Sequence, residues 1–137
     1  MSRVAVTGIG SITPLGNDFD SNWNNILNGY KNFKYYKKLN IVISEIDDDF
    51  TSDLSSKEIR YQDRSSQLAM ISTREAIKDS GLSKKDLYDF MISVGTSIGG
   101  INTTVDEVTK AANTNNIKSM MDLQTPILQL VLLVVSA

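Results

Sequence analysis

Two stretches of this chain share one design: an apolar, β-rich run empties into closely spaced glycines, "RVAVTGIG" at residues 3–10 and "FMISVGTSIGG" at residues 90–100. Such a run reads as a buried strand ending in a turn. Between them lies the clearest helix, "DRSSQLAMISTREAIKDSG" at 63–81, where Ala69, Met70, Thr73, Ala76 and Ile77 recur at helical spacing as one buried stripe. Asp63 is placed to cap its start and Gly81 its end. The pattern predicts an α/β layer with strands near residues 3–8 and 90–95. The helix near 63–80 is expected to pack on that sheet, and another helix to run from about Asn102 to Ala112. Open sheets of this kind place ligands at the edge where the strands empty into loops.

The first loop, "VAVTGIGSITPLG", opens like a phosphate cradle, and its residue types argue against one. A dinucleotide fingerprint needs G-x-G-x-x-G leading straight into a helix, so that backbone N–H groups face the pyrophosphate. Gly8 and Gly10 are present, but Thr13 stands at the third glycine position and Pro14 follows. Proline biases Thr13 away from helical dihedrals and removes an amide donor. No acidic residue closes a strand about twenty residues on, where the chain reads "NGYKNFKYYKK", and no Gly-Lys-Ser/Thr follows for a Walker loop. Gly8, Gly10, Pro14 and Gly16 are therefore read as scaffold.

Composition narrows the chemistry further. At 137 residues, 41% hydrophobic and 22% charged, the chain has the make-up of one soluble globular domain. Its net charge of -2 gives no general electrostatic reason to bind nucleic acid, and no nucleic-acid partner is expected. Cysteine and histidine are both absent, which removes thiolate nucleophiles, disulfides, the commonest general base and the commonest transition-metal ligand together. No cofactor and no metal is expected. Arg3 and the first apolar run lead into polar turn residues with no secretory h-region, so the expected location is cytoplasmic.

Other segments carry weaker signals. Asp18 or Asp20 can cap a helix over "SNWNNILNG", with Trp23, Ile26 and Leu27 on one face and Gly29 as its stop. From Tyr30 to Ser56 there is no steady period. Tyr30, Phe33, Tyr35 and Tyr36 alternate with Lys31, Lys34, Lys37 and Lys38, and a brief strand-like "IVIS" precedes "EIDDDF". This aromatic-basic mixture reads as a surface loop whose rings pack on the domain, in preference to a platform for single-stranded nucleic acid. The three aspartates at 47–49 read as solvated, since consecutive side chains do not converge on one ion unaided. The segment 126–137, "PILQLVLLVVSA", is apolar except for Gln129 and Ser136 and too short to span a bilayer as a helix. It reads as a buried segment lacking its packing partner, with no membrane partner expected.

Taken together, "VAVTGIGSITPLGND", "YQDRSSQLAMISTREAIKDSGL" and "VGTSIGG", in this order and spacing over about residues 3–101, resemble the N-terminal part of a β-ketoacyl-acyl-carrier-protein synthase. These are condensing enzymes of the thiolase-like superfamily, active in fatty acid and polyketide biosynthesis. The resemblance implies that residues 1–137 form a partial synthase domain, an incomplete N-terminal portion of the first βαβαβ half, with a divergent apolar tail at 126–137. It implies as partners an acyl carrier protein with its phosphopantetheine-linked acyl substrate, and a second copy or partner synthase as in the homodimers of the family. The loop "GTSIGG" resembles the one lining the family's acyl pocket, with Ile98 at the gating apolar position. "SSKEIRYQDR" resembles the basic entrance of the pantetheine tunnel, with Lys57 and Arg60 at matching positions for carrier-protein docking; Tyr61 stands where many members have another Lys or Arg.

The resemblance also implies a catalytic cysteine and two histidines that lie beyond these segments in the family, and this chain has none of them. It contributes no catalytic residue to the candidate list. After "TP" at 125–126 the sequence turns apolar where the family continues polar, as a truncated or frameshifted reading frame would produce, in preference to a domain boundary in a split protein. Two functions of different class are thus expected: a synthase fragment inactive alone, or a non-catalytic interaction module that binds acyl carrier protein or a partner synthase.

Overall fold

The computed structural model describes residues 3–83, 85–86 and 93–114. Their elements are α1 (Phe19–Leu27), β1 (Lys34–Tyr36), β2 (Ile41–Ile43), a 3-10 turn over Asp48–Asp53, α2 (Ser56–Tyr61), α3 (Arg64–Ser80) and α4 (Ile101–Thr114). The chain divides into two compact units. One holds the residues up to Asp53 together with Ile71–Ser83; the other holds Leu54–Met70 and the residues from Lys84 onward. Helix α3 therefore gives its first turns to the second unit and the remainder to the first.

In the first unit, α1 starts where Asp18 leaves extended backbone and turns its carboxylate back onto the helix. Asp18 accepts from the Ser21 amide at 2.8 Å and from the Ser21 hydroxyl at 2.7 Å. The hydrogen bond from the Ser21 amide is the largest cause holding the Asp18 carboxyl below its ordinary range. Gly29 ends the helix at φ +67, a left-handed conformation that side chains disfavour. β1 and β2 pair antiparallel, Lys34 opposite Ile43, Tyr35 opposite Val42 and Tyr36 opposite Ile41. Asn40 closes the turn between them at φ 54, and the Tyr35 hydroxyl donates to its side-chain oxygen.

The expected strand at 3–8 does not form. Among the described residues only β1 and β2 are strands, while Val4 and Val6 stand 95% and 81% exposed. A strand is held by its ladder as much as by its own propensity, and no described residue offers that ladder here. For the expected strand at 90–95, residues 90–92 lie outside the described residues and 93–95 show no pairing. The expectation that α3 packs on a sheet is corrected accordingly: its later turns pack on the backbone of the first glycine loop. The aromatic segment is corrected too. The strand-like "IVIS" is β2, paired with β1 in a short ribbon, but the rings do not pack: Tyr30, Phe33, Tyr35 and Tyr36 remain 44–66% exposed.

Helix α3 runs close to its predicted limits, ending at Gly81 with φ +66. Its buried face differs in detail from the expected stripe. Met70 is buried as read; Ala69, Thr73, Ala76 and Ile77 are half-buried, and Ser66, Gln67 and Ile71 join the buried set. Helix α4 covers the predicted 102–112 with a residue or two added at each end.

Candidate functional site

The glycine loop answers its own question. A Cβ on Gly8 would fall on the Ala76 carbonyl oxygen and within 2.8 Å of the Ser80 side chain; one on Gly10 would fall on the Ser72 carbonyl oxygen. Ser72, Ala76 and Ser80 recur every fourth residue, so this row of small side chains lets loop and helix backbones meet directly. The loop amides that a phosphate would need are already in use. Ile9 N–H donates to Asp79 at 2.9 Å, Ser11 N–H to Glu75 at 2.8 Å, and Phe19 N–H to the other Glu75 oxygen at 2.7 Å. The helix thus supplies the anions itself, and this is the physical ground for the scaffold reading.

The rest of the turn is satisfied by asparagines. Thr13 and Gly16 exchange backbone hydrogen bonds of 2.9 and 3.1 Å across Pro14 and Leu15. Asn22, buried in α1, donates to the Ser11, Gly16 and Asp18 carbonyls and accepts from the Thr13 hydroxyl. Asn25 and Asn32 donate to the Leu15 and Pro14 carbonyls at 2.6 and 2.7 Å. Sequence reading missed these residues, because an asparagine in a helix signals nothing until its distant backbone partners are known.

The basic candidates lie in the second unit, on α2. Ser55 and Glu58 form a capping box: the Glu58 carboxylate accepts from the Ser55 amide at 2.8 Å, and the Glu58 amide donates to the Ser55 hydroxyl at 3.3 Å. The one acidic side chain of the helix is thereby turned back to its N-terminus. At the other end, buried Gln67 of α3 donates its side-chain amide to the Ile59 and Gln62 carbonyls at 3.2 and 2.9 Å, fixing the last turn of α2. Lys57 and Arg60, three residues apart, share an exposed face of this anchored helix. Tyr61 follows on that side, its ring centroid 5.5 Å from the Arg60 guanidinium. Where the resemblance leads one to expect another cation, this chain has an aromatic ring against the neighbouring one.

Asp63 links this region to α4. Its carboxylate accepts from the Ser65 amide at 2.9 Å and from the Thr103 hydroxyl at 2.7 Å. Desolvation pushes the Asp63 carboxyl up, but these hydrogen bonds prevail and hold it below its ordinary range. Ile98 stands 66% exposed in the bend before α4, and Gly100 follows at φ +80. In place of Gly99 a Cβ would meet the Thr96 and Ser65 hydroxyl oxygens at 2.7 and 3.3 Å. Lys57 and Arg60 are brought onto one helix face; Ile98 sits on a separate segment of the same unit. Among the described residues, no cluster of acidic side chains could hold a metal ion, and no helix is long and apolar enough to cross a membrane.

A self-occupied glycine loop and a capped, basic helix define a scaffold segment with an exposed cationic face, and comparison with known proteins supplies its lineage. The family described as "Beta-ketoacyl synthase, N-terminal domain" matches residues 1–129. The chain belongs to the β-ketoacyl synthase family, and with it to the thiolase-like folds. It is similar to the 3-oxoacyl-[acyl-carrier-protein] synthase 2 of Staphylococcus aureus strain N315, 33% identical over 110 residues that make up 74% of this chain and 27% of that protein. The synthase of the same name from Synechocystis is 30% identical over 116 residues, 78% of this chain and 28% of that protein. The chain thus spans little more than a quarter of the length of these curated relatives.

Proposed function

We propose that this chain is part of a β-ketoacyl-acyl-carrier-protein synthase and that α2 is where the acyl carrier protein docks. The synthase would condense an acyl thioester with malonyl-acyl carrier protein in fatty acid or polyketide biosynthesis. The observation carrying the proposal is the exposed Lys57–Arg60 face of α2, held by a capping box at one end and by Gln67 at the other. A cationic face fixed in this way steers an acidic partner and raises its association rate more than its affinity. Arg60, stacked near Tyr61, presents its charge with less side-chain freedom to lose on binding. Ile98 would line the acyl pocket in company with the remainder of such a synthase.

The chain itself would not catalyse the condensation. Nucleophilic acyl transfer needs an activated nucleophile and donors for the developing oxyanion, and these 137 residues contain no thiolate and no imidazole. That composition also favours the second reading, a non-catalytic module that keeps the carrier-protein surface and binds a partner synthase. Both readings make one prediction. In a binding titration at low salt, Lys57→Glu with Arg60→Glu should weaken association with acyl carrier protein on the order of tenfold, and the difference should shrink as salt rises. No salt-dependent binding by the unaltered chain would refute the docking assignment.

A further inference from the structure

Two carboxylates on one side of α3 reach the first turn, Glu75 and, one helical turn further on, Asp79. Gly8 and Gly10 make this reach possible, because they let the loop backbone lie against the α3 backbone at Ala76 and Ser72. Glu75 is half-buried and uses both oxygens: Oε2 accepts from the Ser11 amide at 2.8 Å and Oε1 from the Phe19 amide at 2.7 Å. Asp79 is exposed and accepts from the Ile9 amide through one oxygen at 2.9 Å. All of these residues belong to the first unit.

The two Glu75 bonds fall on the two ends of the turn, since Ser11 precedes the Thr13–Gly16 bridge and Phe19 opens α1. Between those ends the asparagines tie turn to helix: Asn22 donates to the Ser11 and Gly16 carbonyls, and Asn25 to the Leu15 carbonyl. Those bonds stay within the turn and α1; Glu75 carries both onto α3. The Phe19 amide stands at a helix start, where the backbone supplies no intrahelical acceptor. The local cap, Asp18, is engaged with the Ser21 amide and hydroxyl. One turn along α1, the Phe19 ring stacks on Trp23, with centroids 6.4 Å apart and planes 8° from parallel. Anchoring the Phe19 amide therefore steadies the stack.

We infer that Glu75 is the positioning residue for the start of α1, a latch from α3 that holds the turn at Ser11 and the helix at Phe19 and, through Phe19, sets the surroundings of Trp23. A carboxylate suits this place because both of its oxygens accept. A glutamine amide offers one acceptor and turns an NH2 donor toward the other backbone N–H. Asp79, exposed and bonded once, contributes less, because solvent screens it.

The test is hydrogen exchange on the full chain, read together with the emission of Trp23, its single tryptophan. Glu75→Gln, which keeps size and shape, should lower protection at Ser11 or Phe19 by roughly ten- to a hundredfold, while amides in the interior of α1 and α3 keep theirs. Trp23 emission should shift toward that of solvated indole. Asp79→Asn should affect Ile9 and leave Phe19 and Trp23 as they were. In Glu75→Ala, sodium formate supplies a carboxylate of its own and should restore part of the protection and of the emission, which sodium chloride at equal ionic strength should not. Unchanged protection of both amides in Glu75→Gln overturns the inference, and so does a loss shared equally by the interior of α3, which would make Glu75 a general support of the fold. Formate acting no differently from chloride on a folded Glu75→Ala also overturns it; where that variant does not fold, the exchange pattern of Glu75→Gln decides alone.

Discussion

Replacing Gly10 by alanine probes the contact that holds the first unit together. The added Cβ would land on the Ser72 carbonyl oxygen, with the Ala76 nitrogen at 2.8 Å and the Ser72 carbonyl carbon at 2.9 Å. All of these are helix backbone, which cannot rotate aside as a flexible side chain would, so the loop must retreat. Overpacking of this kind costs about 1–3 kcal/mol. Retreat also strains the 2.8 Å bond from Ser11 to Glu75 and the 2.9 Å bond from Ile9 to Asp79. A hydrogen bond to a charged group contributes about 1.5–3 kcal/mol, so losing one brings the expected total to roughly 2.5–6 kcal/mol. Gly95→Ala is the internal control, because a Cβ there meets nothing within 4 Å among the described residues and its φ is not left-handed. Urea denaturation followed by circular dichroism compares the two, and hydrogen exchange at Ile9, Ser11 and Phe19 gives the local readout. Equal stability of the two variants, within about 0.5 kcal/mol, with unchanged protection of those amides, would refute the packing argument.

Two further outcomes are expected. Asp63→Ala should destabilise the second unit by about 1 kcal/mol, as loss of an N-cap acceptor does. Because the folded Asp63 carboxyl lies below its ordinary value, its contribution is present above that value and is lost as pH falls through the lower folded one. An acid titration of stability should therefore be flatter in the variant, and identical acid limbs would count against the Asp63–Thr103 link. Incubated with acyl- or malonyl-acyl carrier protein, the chain alone should acquire no acyl group and release no carbon dioxide. Its serine and threonine hydroxyls have no imidazole to activate them. A stoichiometric acyl adduct detected by mass spectrometry would contradict this.

Local signals in the sequence located α1, α3 and α4, while the short α2 was not read as a helix. Asp18, Gly29, Asp63 and Gly81 were readable as helix boundaries because caps act within a few residues, and the structure places helix ends at or beside each. What depends on distant partners was not readable. Val4 and Val6 have strand propensity, but a ladder needs a second strand that the described residues lack. Ser66, Gln67 and Asn22 look like surface residues; they are buried, and the side-chain amides of Gln67 and Asn22 satisfy carbonyls from other segments. Of the β1–β2 ribbon only the strand-like "IVIS" at β2 was readable, because a three-residue strand such as β1 shows no period. For the candidate site, the sequence placed Lys57 and Arg60 within a recognisable motif. The capping box that turns Glu58 away and the Tyr61 ring against Arg60 became visible only with coordinates.

Chemical-shift mapping of the isotope-labelled chain titrated with acyl carrier protein tests the docking account most directly, since it reports where binding occurs as well as whether it does. The account predicts that the largest amide changes fall on Ser55–Tyr61 and diminish with added salt. Changes centred on the β1–β2 ribbon or elsewhere, with α2 silent, would contradict it.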